Sequence, residues 1–373
     1  MSPPTEPPPS CVVARAARPT SFAPAGRANI IAPMSEPAYC ELLRAAMGGA
    51  ALTREQTRWA FGQIMDGRWA DSQIAALLVA LAAKGETVEE IAGAAEAMRA
   101  RAVPLDVGAA DVIDIVGTGG TGLRTFNIST TTCFVAAGAG LKVAKHGNRT
   151  NTRASGSADV LAALGVNLDA SPAVQARCLA EAGVCFCFAV RHHPAMRHAA
   201  PVRKALGVRT IFNILGPLTN PAAARRQLMG VFDDRLTETL AAALGALGLA
   251  RAMVVHAADG LDELSTTAST RVSEWRGGAV TTRTVRPEDF GLPRATLDDL
   301  LVGSPAESAQ IVRAVLAGRP GPARDIVVLN AAAALALADA APDMAAGVPL
   351  AQASIDSGAA QRALEKFVQV SNA

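Results

Sequence analysis

An apolar run, Val112-Ile113-Asp114-Ile115-Val116, breaks into Gly117-Thr118-Gly119-Gly120-Thr121-Gly122 and passes through Asn127-Ile128-Ser129-Thr130 into a second apolar run with helical character. Glycines between a strand and a helix let backbone N–H groups come close to an anion, and the helix N-terminus adds partial positive charge. The loop has neither the G-x-x-x-x-G-K-S/T of a P-loop nor the third glycine of G-x-G-x-x-G, so by its glycines alone it is equally an ordinary turn. Thr125, Asn127, Ser129 and Thr130 immediately downstream add side-chain donors and a hydroxyl suited to a metal, which favours phosphate. A second strand-like run, Leu141 to Ala144, ends at Lys145-His146-Gly147-Asn148-Arg149, bringing two cations, an imidazole and an amide to one strand end. Ligands of open α/β sheets sit beyond the carboxyl ends of their strands, so both runs point at one site.

A third strand, Ala252 to Ala257, runs into Asp259-Gly260-Leu261-Asp262-Glu263-Leu264-Ser265. An adjacent acidic pair is commonly a solvated loop. Mg²⁺, however, takes carboxylate oxygens together with phosphate oxygens and waters, and a phosphate cradle beside strand-end carboxylates is a coherent site for a magnesium diphosphate. His193 and Arg203 lie on either side of a proline-started segment. The bland reading is a loop histidine and a surface cation. A guanidinium also pairs with a carboxylate in bidentate fashion, which makes Arg203 a candidate for holding a carboxylate-bearing acceptor.

The elements that position these residues follow in order. Tyr39 to Arg101 is helical throughout, with capping-box spacing at Thr53-Arg54-Glu55-Gln56 and Thr87-Val88-Glu89-Glu90 and one apolar face made by Ile74, Leu77, Leu78 and Leu81. Pro104 and Gly108 mark the crossing into an α/β part. Helices are expected at 157–164, 172–182 and 202–206 and through Leu236, Leu240, Leu244 and Leu247, and strands at 184–189 and 252–257. A turn is expected at Gly216-Pro217-Leu218-Thr219-Asn220-Pro221, then a hairpin (Val272 to Trp275, Ala279 to Thr284) and three helical runs. Strands alternating with helices predict an α/β fold, a central sheet flanked by helices.

Half of the 373 residues are hydrophobic, and a formal net charge of +2 with scattered Lys and Arg argues against a nucleic-acid or membrane footprint. The six cysteines show no paired metal-site spacing; Cys185 and Cys187 read as buried thiols of a cytoplasmic protein. The Pro-, Ala-, Ser- and Arg-rich residues 1–33 are expected to be a disordered tail, with Met34 an alternative start and a targeting peptide the rival reading. No stretch is apolar enough for a membrane span; the Ala-rich run Leu329 to Ala341 is interrupted by Asn330 and Asp339 and reads as a buried helix.

The blocks DIVGTGG, TFNIST, VAKHGNR, SGSADVLAALGV, HPAMR, PVRKALGVRTIFNILGPLTNPA and GLDELS, in this order, resemble the anthranilate phosphoribosyltransferases of the nucleoside-phosphorylase-like glycosyltransferase family, from about Tyr39 to the C-terminus. The resemblance implies a small all-helical domain at 34–105, joined by a later helical insertion near 194–225, beside a large α/β donor-binding domain at 106–373. It implies transfer of phosphoribose from 5-phosphoribosyl 1-diphosphate (PRPP) to the amine of anthranilate, in tryptophan biosynthesis. Carried over by position, Gly117, Gly120, Thr121, Thr125, Asn127, Ile128, Ser129, Thr130, Lys145, His146, Gly147, Asn148, Arg149, Arg153 and Ser157 would hold PRPP. Ser129, Asp262 and Glu263 would ligate Mg²⁺, as two ions. Gly117, Asn148 and Arg203 would bind anthranilate, with His146 and His193 lining its path. No strong acid or base is implied; Asn148 and Arg203 would act by positioning. A homodimer through the helical domain is implied too.

Two departures stand out: Thr121 follows GTGG where the family usually has an acid, and Val190 follows Phe188-Ala189 where a proline is frequent. KHGNR and SGSAD recur, slightly altered, in pyrimidine nucleoside phosphorylases, which makes phosphorolysis the nearest enzymatic alternative. Relatives of this fold that bind nucleic acid without catalysis are the other; the mild charge and the Asp262-Glu263 pair weigh against them.

Overall fold

The computed structural model describes residues 38–149 and 155–373. The expected tail at 1–33, Met34, Cys11 and Arg153 lie outside them.

Four helices, α1 (Tyr39–Met47), α2 (Arg54–Met65), α3 (Asp71–Lys84) and α4 (Val88–Arg99), open the described chain. Both expected capping boxes form. Gln56 N–H donates to Thr53 Oγ1 at 3.2 Å and Thr53 N–H to Gln56 Oε1 at 2.9 Å. The second is more than a cap. Glu90, fully buried, accepts from Thr87 N–H at 2.8 Å, from Leu52 N–H at 2.8 Å and from Lys84 Nζ at 2.6 Å, so one carboxylate ties the starts of α2 and α4 to the end of α3. The segment 194–219 packs with these helices: Ala199, Val202, Phe212, Leu215 and Leu218 share a core with Leu42, Phe61, Ile74 and Leu78.

The sheet has seven strands, β1 (Val112–Gly117), β2 (Lys142–Gly147), β3 (Val184–Phe188), β4 (Arg226–Gly230), β5 (Arg251–Ala257), β6 (Thr270–Arg276) and β7 (Ala279–Val285), in the order β3-β2-β1-β4-β5-β6-β7. The first five run parallel and the β6–β7 hairpin is antiparallel. Alternate residues face opposite ways along a strand. Ile113, Ile115, Leu228, Met253 and Val255 meet the helices Ile128–Gly138 (α5) and Pro322–Leu337 in one core, whereas Met229, Val231, Ala252 and Val254 meet Leu236–Ala246 and the N-terminal helices in the other. The helical part is therefore built onto one face of the sheet.

The chain passes between the two parts at 100–111, 188–194 and 219–226, and the passages are bonded to one another. Val103 N–H donates to the His192 carbonyl at 2.8 Å, His192 Nδ1 lies 2.7 Å from the Val103 carbonyl, and Leu105 N–H donates to the Pro221 carbonyl at 3.0 Å.

Two expectations need correction. β2 continues through Lys145, His146 and Gly147 rather than ending at Ala144, because Lys145 and His146 find partners that let them be buried. The C-terminal region holds four helices, not three: Gly358, in the left-handed conformation at φ 71°, divides Met344–Asp356 from Ala359–Ser371. The run from Leu329 lies in the buried helix Pro322–Leu337, as expected, and among the described residues no helix is long and apolar enough to cross a membrane.

Candidate active site

β1 and β4 are neighbours, yet the chain goes on from β1 to β2 and β3 on one side and from β4 to β5 on the other. At such a switch point the connections diverge and leave a crevice at the carboxyl ends of the strands. Gly117 and Gly230 are those ends and pair with each other. The loop after β5 drops against both: a Cβ on Gly230 would fall 1.6 Å from the Asp262 carbonyl oxygen, and one on Gly117 would fall 2.5 Å from Asp262 Oδ2. Only glycine fits at Gly230, where the clash is with backbone, and a side chain at Gly117 would push the Asp262 carboxylate aside. Asp262 Oδ2 then accepts the Gly119 N–H at 2.9 Å, so the acidic loop and the glycine loop touch directly.

The acidic loop is held from behind. Asp259 accepts from Ser265 Oγ at 2.7 Å and from Thr267 Oγ1, and Asn330, buried in its helix, accepts the Leu264 N–H at 3.0 Å and donates to the Leu264 carbonyl at 2.8 Å. Asp262 and Glu263 are both buried as a result. The glycine loop is held in front. Gly119 and Gly120 take φ of 65° and 77°, and the Gly120 carbonyl accepts from Arg209 Nη2 at 2.6 Å.

Beyond the loop the chain is strapped to residues 300–302: Thr125 bridges Leu301, and Phe126 N–H donates to the Leu300 carbonyl at 2.9 Å. Asn127 is tied into the protein on its amide. Its Oδ1 accepts from Ser155 Oγ at 2.6 Å and Ser308 Oγ at 2.8 Å, and its Nδ2 donates to the Ser155 carbonyl at 3.2 Å, so its amide joins three segments around the N-terminus of α5. Ile128 is buried, and Thr130 Oγ1 is buried with no hydrogen-bond partner among the described residues.

Lys145 points back under the sheet end, donating to the Ile115 carbonyl at 2.6 Å and to Ser129 Oγ at 3.1 Å. Beside it Asp114, fully buried, accepts the His146 N–H at 3.0 Å. Burial pushes its carboxyl up to about 6, while Lys145 and the backbone N–H groups act the other way. His146 leaves the opposite face of β2, its Nδ1 2.9 Å from the Gly216 carbonyl, and its ring centre is 5.0 Å from that of His193. Burial takes His193 down to about 4 and His146 well below the usual imidazole range. With Nδ1 donating to a carbonyl, neutral His146 carries its lone pair on Nε2. That atom is buried without a partner among the described residues, as is Nε2 of His193. The two rings are weak bases.

Asn148 and Arg149, both exposed, and the half-buried Ser157 form a rim. Asn148 N–H donates to Ser157 Oγ at 3.2 Å, and Arg149 Nη1 pairs with Asp159 at 2.9 Å. Gly147 is in close contact, since a Cβ there would meet Ser157 Oγ at 2.3 Å. Arg203 lies in the helix Ala200–Leu206, half-buried, with its guanidinium 5.3 Å from the Phe212 ring centre and no carboxylate partner among the described residues. Burial lowers its pKa, the mark of a cation missing its counter-charge. The described expected residues thus divide into a switch-point group (Gly117, Gly120, Thr121, Asp262, Glu263), a group about the start of α5 (Thr125, Asn127, Ile128, Ser129, Thr130, Lys145), a histidine pair, the rim with Gly147, and Arg203. Missed by sequence reasoning were Asp114, Arg209 and Asn330; a lone carboxylate in the apolar strand Val112–Val116 was the available signal for the first.

No group of three or more His, Cys, Asp or Glu side chains converges among the described residues. The donor set, an adjacent pair of carboxylates of which Asp262 touches the glycine loop, suits Mg²⁺ shared with phosphate oxygens and waters rather than an all-protein cage.

Residues 41–102 match the helical bundle domain of the glycosyl transferase family, and residues 109–361 match its a/b domain. The anthranilate phosphoribosyltransferase of Symbiobacterium thermophilum is 53% identical over 326 residues, which span 87% of this chain and 96% of the relative. The chain belongs to the anthranilate phosphoribosyltransferase family. The Thermomicrobium roseum member is 53% identical over 336 residues, 89% of this chain and 97% of its own length. Among solved structures, the Thermus thermophilus anthranilate phosphoribosyltransferase superposes with a TM-score of 0.85 at 43% identity, covering 89% of this chain and 99% of its own. The Saccharomyces cerevisiae enzyme in complex with PRPP and Mg gives 0.82 at 28% identity, covering 91% of this chain and 99% of its own. The family's two-part organisation is the one described above, a helical domain and an α/β domain with a mixed sheet.

Proposed function

We propose that the chain transfers the phosphoribosyl group of PRPP to the amine of anthranilate, releasing diphosphate. The observation that carries this reading is the half-buried Arg203 guanidinium, which has no carboxylate partner among the described residues. It is borne by a segment that is hydrogen-bonded through Arg209 to the glycine loop at the switch point. A carboxylate acceptor held there sits beside the phosphate cradle.

In the reaction the C1–O bond to diphosphate breaks as the C1–N bond forms, and the amine nitrogen gives up a proton to the departing diphosphate or to water. Positive charge grows on the ribose and negative charge on the leaving oxygen, so stabilising diphosphate is the main task. The N–H groups of the glycine loop and the N-terminus of α5 do this for the phosphates. Asp262 and Glu263, with Ser129 at its remaining lone pair, would hold Mg²⁺, as two ions, which would supply positive charge to offset that of the departing diphosphate. Arg203 fixes the anthranilate carboxylate by a charge-assisted pair. An aromatic amine is nucleophilic while neutral, so no strong base is needed. Neutral His146 and His193 line the approach without adding like charge near the ribose, and Asn148 with Gly117 orients the acceptor. We assign the active form to a cytoplasmic homodimer joined through the helical part.

The test is the loss of anthranilate fluorescence on mixing with PRPP, with and without Mg²⁺, beside Arg203→Ala. Mg²⁺-dependent loss is expected. Removing the bidentate clamp should raise KM for anthranilate about 10- to 100-fold with KM for PRPP little changed. No fluorescence loss at any PRPP concentration would refute the reading.

A further inference from the structure

Arg209 is assigned no part by the chemistry above, yet its surroundings are specific. Its Nη2 donates to the Gly120 carbonyl at 2.6 Å, and its Cζ stands 4.1 Å from the centre of the Phe232 ring. Phe232 follows β4 by two residues, and a Cβ on Gly120 would lie 3.8 Å from its Cδ1. The ring thus supports the glycine loop and the guanidinium together. Arg209 also sits three residues beyond the helix that carries Arg203, in a segment fixed by the Thr210 N–H to Asn213 Oδ1 bond of 3.0 Å. No carboxylate pairs with Arg209 among the described residues, so the side chain is not there to close an ion pair.

We infer that Arg209 is a positioning residue that clips the glycine loop to the Arg203 segment and so sets the spacing between donor cradle and acceptor clamp. This rests on the proposed reaction for its consequence, though not for its geometry. Among the described residues the loop is held on its inner side by the Asp262 carboxylate through Gly119 N–H at 2.9 Å and at its root by Thr118 N–H to the Gly230 carbonyl at 2.9 Å, and Arg209 holds its outer side. Mg²⁺ held at Asp262 would draw on the carboxylate that holds Gly119. The outer tether is a carbonyl–guanidinium bond that uses neither carboxylate of the acidic pair, so a metal held there would leave it in place. Gly119 and Gly120 are both in the left-handed region, where glycine has the widest freedom, so a loop released from its clip would sample many conformations.

The measurement is hydrogen exchange over residues 117–123 in the full chain, with and without Mg²⁺, for wild type, Arg209→Ala, Arg209→Lys and Phe232→Leu. Arg209→Ala should speed exchange of the loop amides about tenfold, as for one charge-assisted bond with its ring contact, and more so with Mg²⁺ present. An ammonium lacks the planar fork of a guanidinium, so Arg209→Lys should rescue only in part, and Phe232→Leu should fall between it and wild type. In turnover, Arg209→Ala should raise KM for PRPP about tenfold while kcat falls less than about threefold, with the melting temperature within about 2 °C of wild type. Unchanged loop exchange in Arg209→Ala, or an increase spread evenly over the molecule, would overturn the inference. Failure of the wild type to consume anthranilate would instead remove the proposed reaction, leaving the exchange comparison to decide on the clip.

Discussion

A carboxylate in the middle of an apolar strand has to be matched or neutralised, and Asp114 shows how the fold deals with one. It sits against Lys145 and the His146 N–H, and its folded pKa is raised by burial to about 6. The stability it contributes is present at low pH and lost as pH rises through about 6. His193, depressed to about 4, does the reverse: its contribution is present above the ordinary imidazole value and lost as pH falls toward 4. Between these values the two oppose each other. Asp114→Asn should therefore steepen the acid loss of stability, uncovering a His193 contribution of up to about 3 kcal/mol; thermal melts of both proteins from pH 7 to pH 4 measure it. At this scale the sequence was informative where residue type and place both mattered. Asp262-Glu263 at a strand end and Arg203 in a proline-flanked segment were legible. The histidine pair was legible only as two residues, since their 5.0 Å approach depends on β2 and the 188–194 passage meeting. The bonds of Asn127 to Ser155 and Ser308 were not legible, because they join segments far apart in the sequence.

Among elements, the helix Pro322–Leu337 supports the acidic loop from behind. Asn330 satisfies both backbone groups of Leu264 and also donates to the Ile326 carbonyl at 2.8 Å. Asn330→Leu should leave the Leu264 N–H and carbonyl unpaired in the core, lowering stability by about 2 to 4 kcal/mol. With the acidic loop loosened, the Mg²⁺ concentration for half-maximal rate should rise about tenfold, the usual scale for a group supporting metal ligands. A Mg²⁺ titration at saturating substrates checks the second effect, and denaturant unfolding the first. The sequence signalled this residue only as an interruption of an apolar run; that it meets Leu264 is a tertiary fact. Strand ends were misjudged for a related reason. Lys145 and His146 look like loop residues until the Ile115 and Gly216 carbonyls are there to receive them.

Over the whole molecule, the helical part and the sheet share one core through Leu236–Ala246, whose Leu240 and Leu244 pack among residues of both. The described chain should unfold in one transition, with calorimetric and van't Hoff enthalpies in a ratio of about 1 rather than as two melting bodies; differential scanning calorimetry decides it. The α/β class and the presence of a helical module were readable from periodicity and caps. The strand order that creates the switch point was not, because it depends on which side of β1 each later strand is added.

The three bonded passages between those parts carry a further consequence for covalent integrity. In most two-part proteins a single severed linker frees one part from the other. Here a protease cut in the exposed stretch around Gly108 would leave the chain continuous at two other passages, and the bonds of Val103 to His192 and of Leu105 to Pro221 would still hold the cut end in place. A nicked molecule should run as two fragments in denaturant and as one species in native buffer, with its activity retained.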